Sequence, residues 1–203
     1  MTARLVLATN NPHKVAELRA ILSDAGLGVE LVGLDAFPAA GDVVEDGLTF
    51  AANASKKAHA SAAATGLPSL ADDSGLCVDA LNGMPGVFSA RWAGRHGNDL
   101  ANLELLLGQL ADVAPEHRGA HFACAAALAL PTGEERIAQE RLEGHLIDVP
   151  RGSGGFGYDP VFRPEGFRLT LAELSSWDKN AISHRGKAFR ALAPMISELV
   201  TND

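Results

Sequence analysis

The chain has 203 residues, 47% of them hydrophobic, which is enough to bury a proper core in one domain or two closely joined lobes. Its net charge of −8, from 17 basic and 25 acidic side chains, opposes broad attraction to nucleic acid or to an anionic membrane, so neither is expected as a partner. No apolar run is long enough for a membrane span or a signal-peptide core, and the two cysteines, Cys77 and Cys124, lack the spacing of a disulfide framework or zinc site; a reducing cytoplasm is the expected location.

In chain order, apolar patterning predicts a strand over about 4–8, a helix over about 12–25, a strand over about 29–34 and a second helix over about 48–65. Short apolar runs follow at Ser69 to Ala71 and Leu76 to Val78, then a Gly/Pro-rich loop from Asn82 to Gly97 and a helix capped by Asn98. Strands are predicted over 119–130 and 134–148, joined by a Pro131-Thr132-Gly133 turn that implies an antiparallel portion of the sheet. A glycine-rich segment at 152–157 leads to a last helix from about His184, in which Pro194 is expected to impose a kink or break. The class is α/β, and no linker separates residues 1–203 into independent parts.

Five segments could carry chemistry. Thr9-Asn10-Asn11-Pro12-His13-Lys14 sits where a strand gives way to a helix, a place whose free N–H groups and dipole suit phosphate, with Lys14 adding a point charge. Capping by Asn11 and a Pro12 at the first helical position explain the same residues without any ligand. In Glu45-Asp46-Gly47-Leu48-Thr49-Phe50, Glu45 could ligate a hard cation, while Asn53 and Lys57 lie four apart on one helix face; alternatively the acidic residues only complement the helix start.

Leu70-Ala71-Asp72-Asp73-Ser74-Gly75 puts two adjacent carboxylates into an apolar strand pattern, so they should point to opposite sides and do different work. One of them could bind Mg²⁺ and orient or deprotonate a water; an exposed Asp-Asp-Ser-Gly turn is the competing explanation. Gly152 to Pro160 contains GxGxxG, but Pro160 blocks the helix that a dinucleotide fingerprint needs. What remains is a loop delivering an aromatic face at Phe156 or Tyr158 and a carboxylate at Asp159, suited to a nucleobase. Finally, Lys179 to Lys187 is the most basic stretch, and His184 with Arg185 at a helix start opposes that helix's dipole. All five lysines fall within these segments, and GxxxxGK[ST] occurs nowhere.

Taken in order, LATNNPHK, EDGLTF with NASKKA, LADDSGLCVDALNGMPGVFSARWAG, GSGGFGYDPVF and SSWDKNAISHRGKA resemble the inosine triphosphate pyrophosphatase family, the RdgB-type pyrophosphatases of non-standard purine triphosphates. The resemblance covers nearly the whole chain. It implies an elongated two-lobed fold around a long mixed sheet with flanking helices, the nucleotide in the cleft between lobes, and usually a homodimer. It also implies hydrolysis of ITP, dITP or XTP to the monophosphate and pyrophosphate, with Mg²⁺ as cofactor. Carried onto matching positions, Asp73 is the proton acceptor and a metal ligand, and Glu45 is the second acidic residue near the metal, with Asp46 beside it as the other candidate. Thr9, Asn10, Asn11, Pro12, His13, Lys14, Lys57 and Ser74 meet the substrate, and Phe156, Gly157, Tyr158, Asp159, Lys179, His184 and Arg185 complete the nucleotide site. The chain departs from the family at Asn10, where glycine is common, and at Ala51-Ala52, where two glutamates are frequent. The alternatives are a Maf-like nucleotide pyrophosphatase with a different base preference and a nucleotide-binding protein without turnover; a Nudix hydrolase is disfavoured by the missing glutamate-rich helix.

Overall fold

The computed structural model describes residues 3–24, 26, 29–38 and 40–201, the side chains of residues 3, 13 and 199–201 excepted. Among these, six strands form one mixed sheet in the order β2-β1-β3-β4-β5-β6: β1 (Ala3–Leu7), β2 (Val29–Gly33), β3 (Ser69–Val78), β4 (Gly119–Ala129), β5 (Glu135–Leu146) and β6 (Phe162–Pro164). β1 pairs in parallel with β2 and β3, and β5 pairs antiparallel with β6. The helices are α1 (Pro12–Asp24), α2 (Phe50–Thr65), α3 (Asp99–Gln109), α4 (Ser176–Ile182) and α5 (His184–Thr201). No helix among the described residues is long and apolar enough to cross a membrane.

The chain divides into two compact units. The first comprises Met1–Asp73, Cys124–Glu140 and Arg185–Asp203. Here the period-two alternation of strand side chains sorts the core into two faces. Leu70 of β3 and Cys124, Ala126 and Leu128 of β4 join Leu18 and Leu22 of α1 and Phe189, Leu192 and Ile196 of α5. The alternate residues, Ala71 and Ala125, Ala127 and Ala129, meet the alanine stripe Ala54, Ala58 and Ala62 of α2. Residues four apart recur on one helix face, and the absence of bulk lets that face lie close on the sheet.

The second unit comprises Ser74–Ala123 and Arg141–His184. Its core gathers Leu76 and Val78 of β3, Leu103, Leu106 and Leu110 around α3, Phe122 of β4, Leu142 and Leu146 of β5, and Tyr158, Val161 and Phe162. Asn98 caps α3 as expected, its side chain accepting from the Ala101 N–H.

Four expectations need correction. The two apolar runs around Asp72-Asp73 are one continuous strand, because both carboxylates are buried at 1% and 6% exposure and do not form a surface turn. The second helix begins at Phe50 instead of 48, since Thr49 caps it by accepting from the Ala52 N–H. The Gly/Pro-rich loop contains a short 3-10 turn, Gly86–Arg91. The last helix runs unbroken through Pro194 to Thr201, where burial of Leu192, Ala193 and Ile196 around the proline outweighs its missing N–H. A further helix, α4, starts on Ser175, whose hydroxyl accepts from the Asp178 N–H.

Candidate active site

In the first unit the site is built on β3 and the two helix faces beside it. Asp72 follows Leu70 in the alternation and so faces α1 and α5; Asp73 follows Ala71 and faces α2. Lys14 of α1 donates from Nζ to Asp72 Oδ2 at 2.9 Å, and Arg185 of α5 donates from Nε to the same oxygen at 3.1 Å. A terminal nitrogen of Arg185 also donates to Glu17, one turn after Lys14 on α1. Burial alone would raise the pKa of Asp72, but the charges of Lys14, Arg185 and Lys57 outweigh it and hold the carboxyl well below the usual range.

On the other face, Asn53 of α2 donates from Nδ2 to Asp73 Oδ2 at 2.9 Å. Lys57, one turn further along α2, donates to Glu45 Oε1 at 2.6 Å and lies 3.9 Å from Asp73 Oδ1. Burial pushes the Asp73 carboxyl up, only partly countered by Lys57 and Asn53. Burial disfavours the charged Lys57 as well, yet Asp72, Asp73 and Glu45 together raise its pKa. Two neighbouring carboxyls thus diverge, one fixed as an anion and the other made more basic, which is the division of labour expected of a charge brace and a general base. Asp46 pairs instead with the exposed Lys56 at 2.6 Å, so it is Glu45 that turns toward the Lys57 and Asp73 side.

The Thr9 to Lys14 segment keeps its capping chemistry. The Lys14 N–H donates to Asn11 Oδ1 at 3.3 Å, the Asn11 N–H donates to Thr9 Oγ1 at 3.2 Å, and Pro12 is the first helical residue. Asn10 donates to Asp42 Oδ1 at 2.9 Å. The side chain of His13 lies outside the described residues.

In the second unit, Lys179 of α4 donates from Nζ to Asp159 Oδ2 at 2.8 Å and sits 4.8 Å from the centre of the Phe156 ring. The Phe156 N–H donates to the same Asp159 oxygen at 2.9 Å, closing a tight turn in which a side chain on Gly155 would strike that carboxylate. The Gly157 N–H donates to Asp99 Oδ2 at 2.9 Å, and the buried Tyr158 hydroxyl donates to the Ser89 carbonyl at 2.9 Å. Tyr158 is therefore a core residue, and Phe156 is the partly accessible aromatic face of this loop. His184 stacks on Phe122, with centroids 4.8 Å apart and planes 8° from parallel. Ser74 follows Asp73 in β3 and is half-buried.

The structure therefore brings Lys14, Glu45, Lys57, Asp73 and Arg185 around β3 in one unit, and Phe156, Gly157, Tyr158, Asp159 and Lys179 into one loop-and-helix constellation in the other. Sequence reasoning left Glu17, Asp99 and the bracing role of Asp72 unassigned. For Glu17 a signal existed, its spacing of three from Lys14 on one helix; for Asp99 there was none beyond an acidic residue in a first turn.

The chain is similar to known proteins over nearly its whole length. Residues 5–195 match the Ham1 family. The dITP/XTP pyrophosphatase of Streptomyces coelicolor is 67% identical over 197 residues, 97% of this chain and 98% of that protein. Among solved structures, the dITP/XTP pyrophosphatase of Mycobacterium abscessus is 51% identical with a TM-score of 0.77, over 95% of this chain and 99% of that one. A HAM1 protein from Coxiella burnetii is 40% identical with a TM-score of 0.87, over 97% and 100%. The chain belongs to the Ham1 family.

Proposed function

We propose that this protein hydrolyses non-standard purine nucleoside triphosphates, those of inosine, deoxyinosine and xanthosine, to the nucleoside monophosphate and pyrophosphate. The observation that carries the reading is the convergence of Glu45 and Asp73 on the Lys57 ammonium, with Lys14 on the adjacent Asp72. The names of the Streptomyces and Mycobacterium relatives support it.

The donor set fits magnesium. A cationic nitrogen between two carboxylates shows that their oxygens converge on positive charge, and Mg²⁺ typically takes one or two carboxylates and leaves its other positions to water and phosphate. Bound by Glu45 and Asp73, it would supply Lewis-acid neutralisation of the phosphate oxygens. The chain's own groups account for the rest. Asp73, with its raised basicity, accepts the proton of a water that attacks the α-phosphorus, and Lys14 and Lys57 neutralise the charge that gathers on the departing pyrophosphate.

The Phe156 ring, with Lys179 and Asp159 beside it, has the stacking face and polar edge that a nucleobase requires. His184 and Arg185 are the candidate donors to the O6 of a keto purine, and the hold of Asp72 and Glu17 on Arg185 fixes its guanidinium in advance. A donor in that place meets a second donor in adenine's amino group, which discriminates strongly. The same reading carries a cytoplasmic location, which the free, buried Cys77 and Cys124 suit, and a homodimer, which rests on the family resemblance alone.

Pyrophosphate release from ITP, XTP, dITP, GTP and ATP, with and without Mg²⁺, tests the proposal. Release from the first three that depends on the metal is the expected result; equal turnover of ATP or GTP, or none of any, overturns it.

A further inference from the structure

We infer that Asn53 is a positioning residue that sets the separation of Glu45 and Asp73, the two carboxylates assigned above to the metal; the inference rests on that assignment. Its carboxamide is 1% exposed and joins two pieces of chain that carry these groups. Nδ2 donates to Asp73 Oδ2 at 2.9 Å, while Oδ1 accepts from the Gly47 N–H at 2.8 Å. Only this orientation of the amide gives a donor to the carboxylate and an acceptor to the N–H, so the two contacts fix each other.

Gly47 lies two residues after Glu45, and the approach is close enough that a Cβ there would come within 2.6 Å of Asn53 Oδ1 and 3.0 Å of Ala52 Cβ. The glycine is what allows the acidic loop to reach the amide. One turn on along α2, Lys57 reaches the two carboxylates themselves, Glu45 at 2.6 Å and Asp73 at 3.9 Å. A neutral amide and a cation, spaced four apart on one helix face, thus hold one loop carboxylate and one strand carboxylate in register. The amide does so without adding charge. Leucine in its place would leave a buried carboxylate and a buried N–H each short of a partner.

If the amide only anchored the start of α2, its loss would lower stability and leave metal affinity alone. If it positions the two carboxylates, metal affinity falls, because partners behind metal-ligating groups typically govern affinity or activity by about 10- to 100-fold. The experiment is Mn²⁺ binding to the full chain without nucleotide, by calorimetry, with kcat and KM for ITP at saturating metal and the melting temperature measured alongside. For Asn53→Ala we expect Mn²⁺ to bind about tenfold or more weakly and kcat to fall, with KM for ITP within about twofold. Gly47→Ala keeps every polar group and should weaken Mn²⁺ binding in the same direction; Ser55→Ala, on the same helix but bonded to Glu135, should not.

Mn²⁺ affinity within twofold of the parent in folded Asn53→Ala overturns the inference, as does the same result in Gly47→Ala should Asn53→Ala fail to fold. Asp73→Asn separates the two levels of the argument. Loss of Mn²⁺ in Asp73→Asn but not in Asn53→Ala sinks the role of Asn53 alone, whereas unchanged Mn²⁺ binding in Asp73→Asn sinks the metal assignment on which it rests.

Discussion

Asp72 and Asp73 are neighbours in β3 yet are held by side chains from different helices: Asp72 accepts from Lys14 and Arg185, and Asp73 accepts from Asn53. The alternation of a strand imposes this, because successive side chains leave opposite faces and different helices cover each face. Two identical carboxyls are thereby moved apart in basicity, Asp72 downward and Asp73 upward. The different consequences of replacing each follow from that.

Asp73→Asn should abolish turnover while stabilising the fold. Loss of a general base typically lowers kcat by about 10²- to 10⁴-fold. Because burial raises the folded-state pKa of Asp73, the folded chain favours the protonated carboxyl. That advantage is complete below the unfolded value of about 3.9 and is lost as pH rises through the folded value, so at neutral pH the buried anion costs stability. Asparagine removes that cost at constant shape. Thermal melts with the metal chelated should show Asp73→Asn more stable by about 1 kcal/mol at pH 7–8, the gap closing toward pH 4. A variant less stable than the parent at pH 7–8 contradicts the assigned environment.

Asp72→Asn should do the reverse. It leaves Lys14 and Arg185 facing a neutral group inside the protein, and breaking a buried ion pair from one side typically costs about 3–5 kcal/mol. The folded-state pKa of Asp72 is depressed, so its contribution is present above the unfolded value of about 3.9 and is lost as pH falls through the lower folded value. Denaturant titrations should therefore show a deficit that is constant between pH 5 and 8 and shrinks only below about pH 4. A deficit that disappears between pH 5 and 8 would contradict the pairing.

Much of this was legible beforehand because it depends on local rules. The strand-to-helix junction at Asn11-Pro12 and the cap at Asn98 are chemistry between near neighbours, and both stand where the sequence puts them. The opposite facing of Asp72 and Asp73 follows from strand period alone. What sequence could not supply was partnership across long separations. Arg185 reads as an oddly placed cation at a helix start until Asp72, 113 residues earlier, is seen beneath it. Pro194 reads as a helix breaker because local propensity has no access to the buried Leu192 and Ile196 that carry the helix past it.

Asp99 offers a test of the second constellation. Its carboxylate accepts the Gly157 N–H 58 residues away, inside the loop that presents Phe156, and it does so from the first turn of α3. Asp99→Ala should raise KM for ITP several-fold with kcat changed less than about twofold, while Asp99→Asn, which keeps an acceptor oxygen, should stay near the parent. If both variants retained the parental KM, the contact would matter only to α3, whose N-terminus favours an acidic residue in any case.

Arg185→Ala probes base choice and stability together. The guanidinium is 3% exposed and braced by Asp72 and Glu17, so its loss should cost about 3–5 kcal/mol in denaturant titrations. If its donors also face O6 of the purine, the ITP to ATP ratio of kcat/KM should fall by about tenfold or more, since unpaired donors no longer penalise adenine. A stability loss with the ratio unchanged would confine Arg185 to the brace and leave base choice to other groups.

The site of bond cleavage can be read directly from the products. Asp73 lies with Lys57 and Glu45 on the α2 face of β3, and Lys14 lies on the other face against Asp72. If the water attacks the α-phosphorus, the two lysines neutralise a pyrophosphate leaving group, and the new oxygen belongs to the monophosphate. Hydrolysis of ITP in ¹⁸O-water should therefore put one label into inosine monophosphate and none into pyrophosphate, as read by mass spectrometry. Label found only in pyrophosphate would mean attack at the β-phosphorus and would require the water to be held nearer the lysines than Asp73, against the roles assigned here.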